Sequence, residues 1–159
     1  MTVDRHITPE GLKNLQQEIE DLWAERRKVC AAVSAAAEEG DRSENAEYIY
    51  GKKRMRQIDG RIRYLSKTLD TLIVVEQRHE GDRVYFGAWV TVMDEEGKEA
   101  TYRIVGPDES DSRVGRISSE SPMAKALLGK KEGVWVTVKR PAGVADFEIL
   151  KIEYRLPAD

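Results

Sequence analysis

The sequence predicts an α+β protein: an N-terminal antiparallel α-helical coiled-coil hairpin, then a small C-terminal antiparallel β domain with one short helix. The first observation is a three-four apolar alternation through Leu12, Leu15, Ile19, Leu22, Arg26, Val29, Val33 and Ala36. It returns as Tyr48, Gly51, Met55, Ile58, Ile62, Leu65, Leu69 and Leu72, so both runs read as coiled-coil seams. Pairing first with last gives residue numbers of constant sum, which centres the turn on Arg42. The second observation is a change of apolar period to two beyond residue 78, the signature of strands. The third is Ser121-Pro122, a helix cap followed by proline in the first helical position. Domain boundaries follow at 1–78 and 79–159, with an acidic tip at 41–44.

Residues 1–7 read as an extended lead-in, and Thr8-Pro9 as the cap that opens helix one, from Pro9 to Glu39. Gly40 is placed to end it in a left-handed conformation. At 1.5 Å per residue the helix is about 45 Å long, the length of a projecting rod. Helix two is expected from Ser43 or Glu44 to Val74, with Gly51 facing Val33 where backbones can approach closely. Gly60 lies off the seam, and the pattern does not explain it. Arg26, opposite Ile58, is expected to carry its charged head to the edge of the rod.

Gln77 to Asp82 reads as linker. Strands are expected at Val84–Met93, Ala100–Val105, Val134–Lys139 and Val144–Tyr154. Asp94 to Gly97 and Arg140 to Gly143 supply turns, and Gly106 to Ser112 a loop. The short helix spans Pro122 to Leu128 and is closed by Gly129.

Composition excludes several classes of function. With one cysteine, Cys30, the chain cannot form an internal disulfide framework or a thiolate metal cluster. With only His6 and His79, in the lead-in and the linker, it has no nucleophile-histidine pair, and no glycine-rich phosphate loop is present. No apolar run long enough for a membrane span appears, so a soluble cytoplasmic protein is expected.

Net charge is only −3, yet the charge is polarised. Glu38, Glu39, Asp41, Glu44 and Glu47 stand against Arg42 alone, whereas Lys52, Lys53, Arg54, Arg56, Arg61 and Arg63 stand against Asp59 alone. An acidic tip thus precedes a basic shaft. Asp41 and Glu44 can serve as a capping box for helix two, with Ser43 a rival cap. They can also act as hard oxygen ligands for Mg2+, which takes one or two carboxylates and completes its shell with water and phosphate. Two solvated carboxylates are too few to hold the ion alone, so a partner must supply the rest. The six shaft cations suit the phosphates of an RNA strand, with a solvated helix face as the plainer reading.

Four stretches resemble the GreA/GreB family of bacterial transcript cleavage factors: G-D-R-S-E-N-A-E-Y at 40–48, Y-G-K-K-R-M-R-Q-I-D at 50–59, F-G-A-W-V at 86–90 and S-P-M-A-K-A-L-L-G at 121–129. The extensive basic shaft sides with the GreB branch, while A-E-Y at 46–48 is closer to GreA. The resemblance implies a C-terminal domain similar to the FK506-binding proteins, without prolyl isomerase activity. It also implies a monomer that docks at the rim of the RNA polymerase secondary channel and passes its hairpin inward. Asp41 and Glu44, assisted by Ser43, would help the polymerase hold a second Mg2+, and nascent backtracked RNA would lie along the shaft. The factor would then be no enzyme itself, but would stimulate the polymerase's own RNA cleavage and rescue arrested complexes. A channel-occupying inhibitor of the same architecture and a coiled-coil adaptor or holdase outside transcription remain as alternatives.

Overall fold

A computed structural model describes residues 5–39, 45–76 and 80–155. Gly40, Asp41, Arg42, Ser43, Glu44 and His79 lie outside the described residues. The chain divides into two compact units, one of residues 13–71 and one that joins residues up to Leu12 with those from Leu72 onward. Packing therefore cuts the chain differently from the expected boundary at 78. The expected lead-in is strand β1, Arg5–Ile7, paired in parallel with β2, Leu72–Val74.

The helical unit is built from α1, Pro9–Glu38, and α2, Ala46–Leu69. Leu15, Ala36, Gly51, Ile58, Ile62 and Leu65 are buried, as the mirrored seam requires. Toward the end of α2 burial passes to Thr68, while Leu69 is only half-buried. Helix two was expected to continue to Val74. It stops at Leu69 because Leu72-Ile73-Val74, largely β-branched, pairs with Arg5-His6-Ile7 in place of another helical turn. The Thr68 carbonyl closes the end, accepting from both the Thr71 backbone amide and its hydroxyl at 2.9 Å.

Both glycines of α2 can be judged by space. A Cβ on Gly51 would lie 2.5 Å from Val33 Cγ2, so the glycine permits the close approach that the seam implies. A Cβ on Gly60 would meet nothing within 4 Å. Gly60→Ala is therefore expected to stabilise the helical unit by about 1 kcal/mol, the helix-propensity difference, whereas Gly51→Ala should destabilise it. Denaturant unfolding of the two variants checks the opposite signs.

In the other unit the sheet order is β5-β4-β3-β7-β6. The strands are β3, Trp89–Asp94; β4, Glu99–Val105; β5, Arg116–Ser118; β6, Trp135–Arg140; and β7, Gly143–Glu153. Three of the pairings are antiparallel as expected, but β5 adds a parallel edge to β4, so the sheet is mixed. The expected strand from Val84 starts later, at Trp89, because Tyr85–Ala88 forms a turn in which the Ala88 amide bonds the Tyr85 carbonyl at 3.1 Å. Helix α3, Pro122–Leu127, is capped by Ser121, whose hydroxyl accepts from the Ala124 amide. Its Ala124 and Leu127 join Val84, Val90, Val92, Ile104, Val138 and Ile149 in the core.

The start of α1 belongs to this unit. The Thr8 hydroxyl accepts from the Gly11 amide at 3.0 Å, the cap expected of Thr8-Pro9, and donates to Glu109. Glu109 also accepts from the backbone amides of Thr8 at 2.7 Å and Gly106 at 3.0 Å. One carboxylate thus gathers the amide and hydroxyl of Thr8 at the helix start and the amide of Gly106 from its own turn. Gly11 is needed here, since a Cβ would lie 2.2 Å from Glu109 Oε1.

Candidate functional site

Asp41, Ser43 and Glu44 lie outside the described residues, so the site is built from what flanks them. Among the described residues, no three or more His, Cys, Asp or Glu side chains are grouped so as to hold a metal ion. At the root of the tip, α2 begins at Ala46 and its N-cap is Asn45, in an extended backbone conformation. Asn45 Oδ1 accepts from the Tyr48 amide at 3.2 Å, satisfying one of the helix's open donors. This corrects the expectation that Asp41 with Glu44, or Ser43, caps helix two. The cap falls to Asn45 because its amide also reaches the end of α1, donating from Nδ2 to the Ala36 carbonyl at 2.9 Å. Both polar ends of Asn45 are thereby used within the chain. At Asp41 and Glu44 the sequence offers hard carboxylate oxygens, the ligand type of which Mg2+ commonly takes one or two from a protein.

The shaft cations divide by flank. Arg54 faces α1 and makes a two-pronged pair with Glu25, at 2.7 and 2.8 Å. Arg61 repeats the arrangement with Glu18 at 2.9 and 3.0 Å. Hydrogen bonding from Arg54 lowers the Glu25 pKa, and the same bond raises that of Arg54. Asp59, the one acid of the shaft itself, takes Arg26 at 2.7 Å and raises its pKa. Arg26 is half-exposed, as expected of a charged seam residue reaching for the rod's edge.

The expectation that only Asp59 opposes the shaft cations is therefore corrected. Opposing acids come from the other helix, where sequence proximity does not show them. Glu18 with Arg61 and Glu25 with Arg54 nevertheless share one constant sum, so the mirror rule that found the seam also contains the signal for its flanks.

Lys52, Arg56 and Arg63 lie within about 40° of one another around α2, taking 3.6 residues per turn. With Lys53 they form no ion pair among the described residues, and all four are exposed. Three of the six cations Lys52, Lys53, Arg54, Arg56, Arg61 and Arg63 thus share one open flank, Lys53 lies beside it, and Arg54 and Arg61 clasp the hairpin.

Comparison with known proteins decides the family. Residues 5–74 match the model described as transcription elongation factor, N-terminal, and residues 78–154 the model described as transcription elongation factor, GreA/GreB, C-term. The chain belongs to the GreA/GreB family. Transcription elongation factor GreB of Pseudomonas aeruginosa is 55% identical over 150 residues, covering 93% of this chain and 89% of that one. GreB of Yersinia pestis is 51% identical, with 98% and 92% covered, and GreB of Haemophilus ducreyi 48% identical, with 97% and 96% covered. A solved structure of the transcription factor Gfh1 is 24% identical, covers 96% of this chain and 99% of that one, and has a TM-score of 0.47. This GreA/GreB-family chain is a transcription elongation factor, and among its described residues no helix is long and apolar enough to cross a membrane.

Proposed function

We propose that the chain is a transcript cleavage factor that acts through bacterial RNA polymerase and has no hydrolytic site of its own. The C-terminal unit docks at the rim of the polymerase secondary channel, and the hairpin carries Asp41 and Glu44 to the active centre. There the two carboxylates, with Ser43 assisting, supply ligands that the polymerase lacks for a weakly held Mg2+. Bound in a two-metal centre, such an ion stabilises charge on an oxygen of the displacement that cuts backtracked RNA. The observation that carries the reading is the open flank of α2, where Lys52, Arg56 and Arg63 follow the acidic tip and form no ion pair among the described residues. A strand extruded past the tip meets cations able to pair with its phosphates. The factor works as a cytoplasmic monomer.

Cleavage of a defined backtracked complex, with and without the protein across a magnesium titration, tests this. The protein should accelerate cleavage most at low magnesium. Equal cleavage at every concentration overturns the reading. Slower elongation without cleavage points to a channel-occupying inhibitor, and failure to bind core polymerase to an adaptor outside transcription.

The flanks predict a second result. Replacing Lys52, Lys53, Arg56 and Arg63 by glutamine should weaken capture of long extruded RNA by about tenfold or more and flatten its salt dependence, since each lost phosphate contact removes about one unit of slope. Arg54→Gln with Arg61→Gln, whose guanidiniums Glu25 and Glu18 already hold, should weaken capture far less. Crosslinking of long and short backtracked RNA at several salt concentrations measures both.

A further inference from the structure

We infer that Asn45 is a positioning residue for the tip carboxylates, fixing the root of their loop by joining the end of one helix to the start of the next. The inference rests on the proposed role of Asp41 and Glu44. Its geometry lies in described residues. At the end of α1 the last carbonyls have no helical partner, and the Ala36 carbonyl accepts from the Glu39 amide at 3.2 Å and from Asn45 Nδ2 at 2.9 Å. At the start of α2 the amides lack acceptors, and Asn45 Oδ1 takes that of Tyr48. The orientation of the side-chain amide is unambiguous, because a backbone N–H must face its oxygen and a carbonyl its nitrogen.

One planar group therefore ties the end of α1 to the start of α2, the two helix ends that flank Asp41 and Glu44 in the sequence. That matters for Asp41 and Glu44 because two carboxylates brought to one cation repel each other until the cation arrives. A loop with free ends relaxes by spreading them, whereas one with tied ends begins nearer the bound arrangement and has less entropy to lose on binding. Asparagine suits the task better than other good caps. Serine caps α2 but is too short to reach Ala36, and aspartate caps it but offers no donor to the carbonyl.

Two variants separate capping from tying. Asn45→Ala removes both bonds, whereas Asn45→Ser keeps a cap and removes the tie. Cleavage by the full chain with polymerase should need about tenfold more magnesium for its midpoint in both variants, the usual effect of losing a support behind a metal ligand. At saturating magnesium, cleavage should approach the native rate, and affinity for core polymerase should be unchanged. Amide exchange on the free protein supplies a readout independent of cleavage: Tyr48 should lose protection in Asn45→Ala and keep it in Asn45→Ser.

A native magnesium midpoint in Asn45→Ser overturns the tie, because capping alone then suffices. Loss of polymerase affinity or global unfolding in both variants overturns the positioning role in favour of a structural one. If the native chain itself fails to stimulate cleavage, the proposed function falls, and the inference with it. If it stimulates and both variants match it, the inference alone falls.

Discussion

Asp41→Ala is expected to reduce stimulated cleavage by about a hundredfold or more, the upper end of what losing a group that supports a metal ligand costs, since the proposed role makes Asp41 a ligand itself. Affinity for core polymerase should stay near the native value, because the proposed docking lies in the other unit. The combination is the informative part. A variant that still occupies the channel yet does not stimulate cleavage separates delivery of the tip from chemistry at the tip. Adding magnesium should recover part of the loss, since Glu44 remains and mass action favours the occupied site. Cleavage of a stalled elongation complex, measured beside a binding titration, reads both quantities. Full cleavage by Asp41→Ala would remove the metal-carrying role and leave the acidic tip as a solubilising helix end. If the native chain and the variant slowed elongation equally, with no cleavage from either, channel occupancy would be the whole activity.

Much of the helical unit is legible in the sequence because a seam repeats. Each buried position from Leu15 to Leu65 is one instance of a pattern that many others reinforce, and the contact of Gly51 with Val33 follows from the same mirror. Signals that occur once are weaker. Leu72 is in heptad phase, yet its neighbours Ile73 and Val74 follow a strand partner more than sixty residues away. Arg116–Ser118 shows no alternation of its own, and is a strand only because β4 offers it an edge. The cap of α2 had several candidates within a few residues, and the one in place also reaches Ala36, a non-local condition. The pairing of shaft cations needed the partner helix for the same reason. As for the site, the acid-then-base order is readable from the chain, whereas which shaft cations pair across the hairpin and which stay open requires the fold.

The largest effect on stability is expected at Glu10, in the first turn of α1. Arg103 rises from strand β4 with only 3% of its surface exposed, its guanidinium 4.1 Å from the centre of the Trp89 ring. Glu10 receives it through two bonds, at 2.9 and 3.1 Å, and a carboxylate in that position is further favoured by the helix dipole. Burying the guanidinium is costly, and the carboxylate offsets most of that cost. Glu10→Ala should therefore destabilise the unit by about 3 kcal/mol, the low end of the range for stranding a buried charge, because water still reaches this pair from the Glu10 side. The two partners are not equivalent. The Glu10 side chain is 24% exposed and that of Arg103 4%, so Arg103→Met leaves behind a carboxylate that can hydrate, and the thioether side chain can still lie against Trp89. That variant should cost less than Glu10→Ala. The double variant, with neither charge left to desolvate, should be more stable than Glu10→Ala alone. Denaturant unfolding of all four proteins closes the cycle. Equal costs for the two single variants, adding without coupling, would mean that the pair behaves as a solvated surface bridge and that the start of α1 is held by Thr8 and Glu109 instead.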